Sequence, residues 1–162
     1  MNRENLAGVC GLYCGACLVY QTMRKGDPGN IDTLLQEFKE RGLGSTREDL
    51  ECDGCLGQGK LTPFCGSCNI RVCAREKAGV TRCSDCPEFP CQLITDFNND
   101  GMAHHAEVLD NIQNIREAGI RRWAELEEER WLCPRCHNPV SWYDTNCAEC
   151  GAARSGRLFS LE

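Results

Sequence analysis

In two long stretches without cysteine, the hydrophobic positions of this chain follow helical spacing. In Asn30–Gly42, Ile31, Leu34, Leu35 and Phe38 recur at i, i+3, i+4 and i+7, which predicts an amphipathic helix. Asn30 or Asp32 suits its start and Gly42 its end. Residues 102–131 predict two helices in series. Val108, Leu109, Ile112 and Ile115 make one apolar stripe and Gly119 a break. Ile120, Trp123 and Trp131 belong to the next helix, with acidic Glu125–Glu129 on its solvent side. Shorter helical turns are expected at Ala16–Lys25 before Gly26, at Val72–Lys77 before Gly79, and from Pro90, a residue suited to a first helical position, to Phe97. Asn98–Gly101 reads as a turn. Pro139–Tyr143 alternates and is β-prone, as a hairpin requires.

Cysteine interrupts this pattern and changes its meaning. The 162 residues include 15 cysteines, an odd number that cannot pair completely in disulfides. Met1–Cys10 lacks the basic and apolar regions of a secretory leader, and no 18-residue apolar run occurs, so the expectation is a cytoplasmic protein with no membrane span. Thiols stay reduced in that compartment, which leaves metal as the reading of the cysteines. The ordinary core is thin: Leu, Ile, Val and Phe total 32 residues of 162, near the level at which chains tend to be disordered. A structural zinc ion contributes about 10–16 kcal/mol of apparent binding energy, against about 5–15 kcal/mol for the stability of a whole domain. Metal binding is therefore expected to decide whether the chain folds.

The cysteines fall into three blocks: Cys10, Cys14 and Cys17; then Cys52, Cys55, Cys65, Cys68, Cys73, Cys83, Cys86 and Cys91; then Cys133, Cys136, Cys147 and Cys150. The last block is two C-x₂-C pairs, the spacing with which two knuckles aim four sulfurs at one tetrahedral zinc. With Pro139–Tyr143 between the pairs it predicts a β zinc ribbon, with His137 a solvated knuckle residue. A closed four-thiolate zinc has no open position for catalysis. In the middle block, Cys65-x₂-Cys68-x₄-Cys73 and Cys83-x₂-Cys86-x₄-Cys91 repeat one spacing. Eight cysteines fill two four-sulfur sites, for instance Cys52, Cys55, Cys65 and Cys68 with Cys73, Cys83, Cys86 and Cys91. Interleaved pairings fit the spacing equally well. Zinc is the default occupant and an iron–sulfur cluster the competitor.

The first block leaves the arithmetic one ligand short. Its missing partner is a histidine, water or a substrate. His104 and His105 are the other histidines in the chain and read as exposed polar residues near a helix start. The C-x₃-C-x₂-C spacing of Cys10–Cys17 is also that of radical S-adenosylmethionine enzymes, but the chain is too short for their barrel and lacks βα alternation. A redox reading of Cys14-Gly-Ala-Cys17 lacks a thioredoxin βαβ context.

The segments CGLYCGACLVY (Cys10–Tyr20), CDGC (Cys52–Cys55), CGSCNIRVCAREKAGV (Cys65–Val80) and CSDCPEFPCQL (Cys83–Leu93) resemble the prokaryotic DUF3795 family of small cysteine-rich proteins of unknown function. The resemblance runs over roughly residues 6–97. It implies a prokaryotic, cytosolic, metal-binding protein and brings no activity.

The expected fold is a small metal-stabilised α+β protein. Residues 1–98 form an α-rich cysteine-knuckle domain, 99–131 a helical connector and 132–154 the ribbon. Net charge is −6, with 4 basic and 7 acidic residues in 31–60 and 4 basic and 9 acidic in 92–132. This balance lacks the basic footprint of a nucleic-acid binder and points to a protein partner. The functional expectation is a zinc-binding structural or interaction module. One alternative is an iron–sulfur protein with a [4Fe–4S] cluster involving Cys10, Cys14 and Cys17. The other is an enzyme with an open metal site at the same three cysteines. No catalytic residue is assigned.

Overall fold

The computed structural model describes residues 3–154 and 156–161; Met1 and Asn2, where the segment read for a leader begins, lie outside them. Seven α-helices follow in order: α1 (Leu18–Lys25), α2 (Pro28–Glu40), α3 (Pro63–Gly66), α4 (Asn69–Glu76), α5 (Gln92–Asn98), α6 (Val108–Ala118) and α7 (Ile120–Arg130). Short 3₁₀ turns form at Arg3–Leu6, Cys14–Ala16, Arg47–Leu50, Cys83–Asp85 and Ala103–Glu107.

α2, α6 and α7 form where the apolar periodicity places them, α3 falls outside every expected element and α4 begins three residues before Val72, while local chemistry sets the helix ends. α2 begins before its first apolar residue because the Asp27 carboxylate accepts the Asn30 N–H at 2.9 Å and Pro28 occupies the first turn. α1 ends at Gly26 in the left-handed region (φ 72°). Gly119 (φ 80°) separates α6 from α7. α5 starts at Gln92 rather than at Pro90, whose bond to Phe89 is cis.

α6 is the central strut. Val108 and Ile112 are fully buried, and the helix packs on α5, α7 and the Cys83–Asp85 turn. One continuous apolar cluster runs from Ala7 and Val9 through Ile70, Ile94 and Ile112 to Trp123, Trp131, Val140 and Phe159. A smaller one joins α1 and α2 through Val19, Ile31, Leu34, Phe38 and Leu50. Gly11 lies against α6 at φ 86°, where an added Cβ would sit 2.8 Å from Ile112 Cγ1. The first cysteine block therefore touches the strut through its own backbone.

The β zinc ribbon is not present. Helix accounts for 51% of the structure, and no strand occurs among the described residues. Residues 132–153 contribute only isolated bridges, Leu132 with Pro139 and Asn146 with Ala153. The reason lies in Val140, Ser141 and Trp142, which are all buried, so the alternation read from Pro139–Tyr143 does not become two faces. Their N–H groups donate to three different places: Val140 to the Trp131 carbonyl, Ser141 to the Asp144 carboxylate and Trp142 to the Ala16 carbonyl. The fold is helical, with an irregular tail strapped across it.

The acidic run on α7 also differs from expectation. Glu127 lies on the same stripe as Ile120, Trp123, Ala124 and Trp131, and it is buried. Its carboxylate accepts the Trp131 Nε1–H at 2.9 Å and both oxygens accept from Arg130 Nη1 at 3.0 and 3.1 Å, while Arg130 Nη2 donates to buried Glu107. Burial raises the Glu107 carboxyl above its usual range despite the Arg130 guanidinium. Arg130 thus holds two buried carboxylates, one on α7 and one at the start of α6.

Two outcomes follow from this packing. Arg130→Met leaves both carboxylates buried without their cation and is expected to destabilise the protein by about 3–5 kcal/mol, read as a lower urea midpoint. Gly11→Ala forces a left-handed alanine against Ile112 and is expected to cost about 1–3 kcal/mol in the same measurement.

Candidate metal centres

The tail cysteines form the most compact group. Cys133 Sγ lies 3.6 Å from Cys150 Sγ, and Cys136 Sγ 3.6 Å from Cys147 Sγ. All four sulfurs lie within 4.8 Å of one another. Four thiolates at the usual Zn–S length form a tetrahedron with edges of about 3.8 Å, so the set fits a single ion. Two knuckles of one design produce this. Cys133 N donates to Asn138 O and His137 N to Cys133 O; Cys147 N donates to Ala152 O and Gly151 N to Cys147 O. The residue after each second cysteine is left-handed: Gly151 at φ 72° and exposed His137 at φ 57°.

Hydrogen bonds prepare these thiols for metal. The Asn138 backbone and side chain lower Cys136 to about 6, and the backbone N–H of Cys136 lowers Cys133. Against a hydrogen bond from the Ala152 backbone, burial and the thiols of Cys136, Cys133 and Cys147 raise Cys150 to about 12. The four cannot all ionise beside one another unless a cation supplies the opposing charge.

The other eleven cysteines divide as seven and four, which differs from the eight and three of the sequence blocks. Cys10, Cys14, Cys17, Cys52, Cys55, Cys65 and Cys68 all line one cavity of about 610 Å³. Cys73, Cys83, Cys86 and Cys91 line a separate pocket of about 20 Å³ beside Lys77. The second group is one of the pairings open on spacing. The first merges the whole N-terminal block with the earlier half of the middle block.

Secondary structure explains the convergence. Cys17, Cys68 and Cys91 are the N-cap residues of α1, α4 and α5. The motifs closed by Cys17, Cys68 and Cys91 thus end where a helix begins, at its free backbone N–H groups. For Cys17, burial raises the thiol while the N–H groups of Tyr20 and Val19 act to lower it. Gly54 lets the Cys52–Cys55 turn approach the N-terminal segment: at φ 82°, a Cβ there would meet the Asn5 carbonyl at 2.7 Å. The Cys83 knuckle is tied on both sides. Its N–H donates to Val9 O at 2.9 Å, and Arg116 of α6 donates to the carbonyls of Ser84 and Cys86.

Inside the large cavity, four thiols influence one another's ionisation in sequence, Cys14 with Cys55, Cys55 with Cys65 and Cys65 with Cys52. Hydrogen bonds from Cys14 and Cys65 lower Cys55 to about 3, helped by the Val9 N–H and the Arg71 charge. Cys65 lowers Cys52 to about 6, with backbone help from Gly54 and Thr62. Cys14 and Cys65 rise correspondingly, and burial raises Cys10. In the smaller pocket burial raises Cys83 to about 12, with the thiols of Cys91, Cys86 and Cys73 adding to it, while Lys77 Nζ stands 3.8 Å from Cys86 Sγ.

The large cavity is also lined by residues that the spacing of the cysteines does not reveal: Asp96, Asp100, His104, His105 and Trp142. His104, expected at the surface, is 7% exposed. Its ring stacks on Trp142 (centroids 4.1 Å apart, planes 21°), and its Nδ1 lies 2.6 Å from the Tyr143 hydroxyl. Burial and the neighbouring His105 push it down to about 3, so the ring is neutral at physiological pH. His105 Nδ1 lies 3.0 and 2.9 Å from the Asp100 oxygens. A signal was available for His104: it sits four residues before Val108, on the apolar stripe of α6 extended backwards.

A helical scaffold that collects thiols at helix starts around a cavity, with a compact four-cysteine tail, defines a cysteine-rich protein able to bind metal. The chain matches the family model described as Protein of unknown function (DUF3795) over residues 6–96, more than half its length, and it belongs to that family. The match contains all eleven cysteines of the two N-terminal groups and ends before the tail cluster. No curated protein and no solved structure matches the chain. None of the described helices is long and apolar enough to cross a membrane.

The left-handed His137 supplies a test of the tail knuckle. His137→Gly is expected to stabilise the metal-bound protein by about 0.4–1 kcal/mol, seen as a higher melting temperature and slower metal loss to a chelator.

Proposed function

We propose that this protein is a metalloprotein with two kinds of centre: a structural zinc at Cys133, Cys136, Cys147 and Cys150, and an iron–sulfur cluster in the cavity lined by Cys10, Cys14, Cys17, Cys52, Cys55, Cys65 and Cys68. The observation that carries the second assignment is the cavity. A mononuclear ion draws four sulfurs into mutual contact, as in the tail, whereas a cluster holds its thiolates apart around its own inorganic body. Seven cysteines around about 610 Å³ match the second arrangement. Among the described residues, only the four tail cysteines meet the compact criterion.

Cys73, Cys83, Cys86 and Cys91 gather around only about 20 Å³, too little room for a cluster body, which supports a single ion there on which the sulfurs close. The protein then serves as a holder of a redox-active cluster, its peripheral zinc ions fixing the knuckles. The net charge of −6, made more negative by thiolate ligation, supports a protein partner over nucleic acid.

Protein purified without oxygen is expected to contain iron and acid-labile sulfide as well as zinc, with broad visible absorbance. Cys55→Ser is expected to lose most of the iron and keep the zinc. Cys136→Ser is expected to lose close to one zinc per chain and keep the iron. Colourless protein that holds only zinc, before and after anaerobic reconstitution with iron and sulfide, would overturn the cluster assignment.

A further inference from the structure

Seven is an awkward number of thiolates for centres that take four ligands each. Two imidazoles line the same cavity, and one has the environment of a ligand. His104 is buried there, with its ring position set by the face of Trp142 and its Nδ1 engaged by the Tyr143 hydroxyl at 2.6 Å. An imidazole that ligates through one nitrogen characteristically has the other held by such a partner, which fixes its tautomer and orientation. Here Nε2 is the nitrogen that remains.

The strap that carries these partners is anchored beside the thiols. Trp142 N donates to the carbonyl of Ala16, between Cys14 and Cys17, at 3.0 Å. Gln21 of α1 donates through Nε2 to Gly15 O and Val140 O, both at 2.9 Å.

We propose that His104 is a ligand of the cavity beside its thiolates, binding iron of the cluster through Nε2, with Tyr143 as the group that positions its ring. This rests on the cluster reading of the cavity. It gives that reading a mixed thiolate–imidazole ligand set, and it gives the tail a role at the centre, because residues 142–143 hold the ligand. His105 is the competing candidate, since its Nδ1 is held by both oxygens of Asp100 and it lines the same cavity. It is less buried than His104, and its ring stacks on Phe97 of α5 at 3.8 Å rather than on the strap.

The test is pulsed electron paramagnetic resonance of the dithionite-reduced, anaerobically purified full chain, after its iron and sulfide have been counted. A strong nitrogen coupling of a directly bound imidazole is expected, and it should change isotope pattern when the protein is grown with ¹⁵N-histidine. It should disappear in His104→Ala and persist in His105→Ala. The labelling arm uses the unaltered protein, so it decides the matter even if a variant does not fold. A fully iron-loaded protein without that coupling would overturn the histidine ligand and leave the cluster standing, as would loss of the coupling in His105→Ala alone. Absence of iron would overturn both.

Discussion

Like charges do not gather unless something of opposite sign holds them, and that constraint governs this fold. Fifteen thiols are folded into three groups within one small protein. In the large cavity and in the tail a low thiol is matched by a raised neighbour: Cys55 and Cys52 against Cys14 and Cys65, Cys136 against Cys150. The protons are shared because the bare set cannot ionise completely. A cation removes the conflict, releases the remaining protons and converts repulsion into attraction.

The helices answer the same constraint. Cys17, Cys68 and Cys91 close their motifs at the starts of α1, α4 and α5, so three helices fix where those sulfurs stand. α6 then ties the groups together without contributing a sulfur: Ile112 meets Gly11, and Arg116 holds the Cys83 knuckle by its carbonyls. The Arg130–Glu107–Glu127 cluster locks the end of α7 to the start of α6. From there Trp131 leads into the tail, so the compact four-cysteine centre and the cavity are mechanically continuous.

Matching the DUF3795 family to residues 6–96 divides the chain by chemistry as well as by length. The family portion contains both groups in which pairing was ambiguous. The tail contains the group that spacing alone resolves. Yet the tail is not an appendage, because residues 140–143 fill the space between α1, the first cysteine knuckle and His104.

What the sequence determined by itself was local. Helical periodicity located α2, α6 and α7, Gly119 marked their break, and two C-x₂-C pairs announced the tail cluster; each depends on residues a few positions apart. It erred where alternation in Pro139–Tyr143 suggested strands, because burial on both sides of the chain imitates neither period. It also placed Glu127 in solvent and His104 at the surface, since partners far along the chain, Glu107 through Arg130 in one case and Trp142 with Tyr143 in the other, decide their burial. Only tertiary structure regrouped the eleven remaining cysteines as seven and four. C-x₂-C spacing fixes which two sulfurs share a knuckle, but which knuckles face each other is set by helices packing on α6, and that carries no short-range signal.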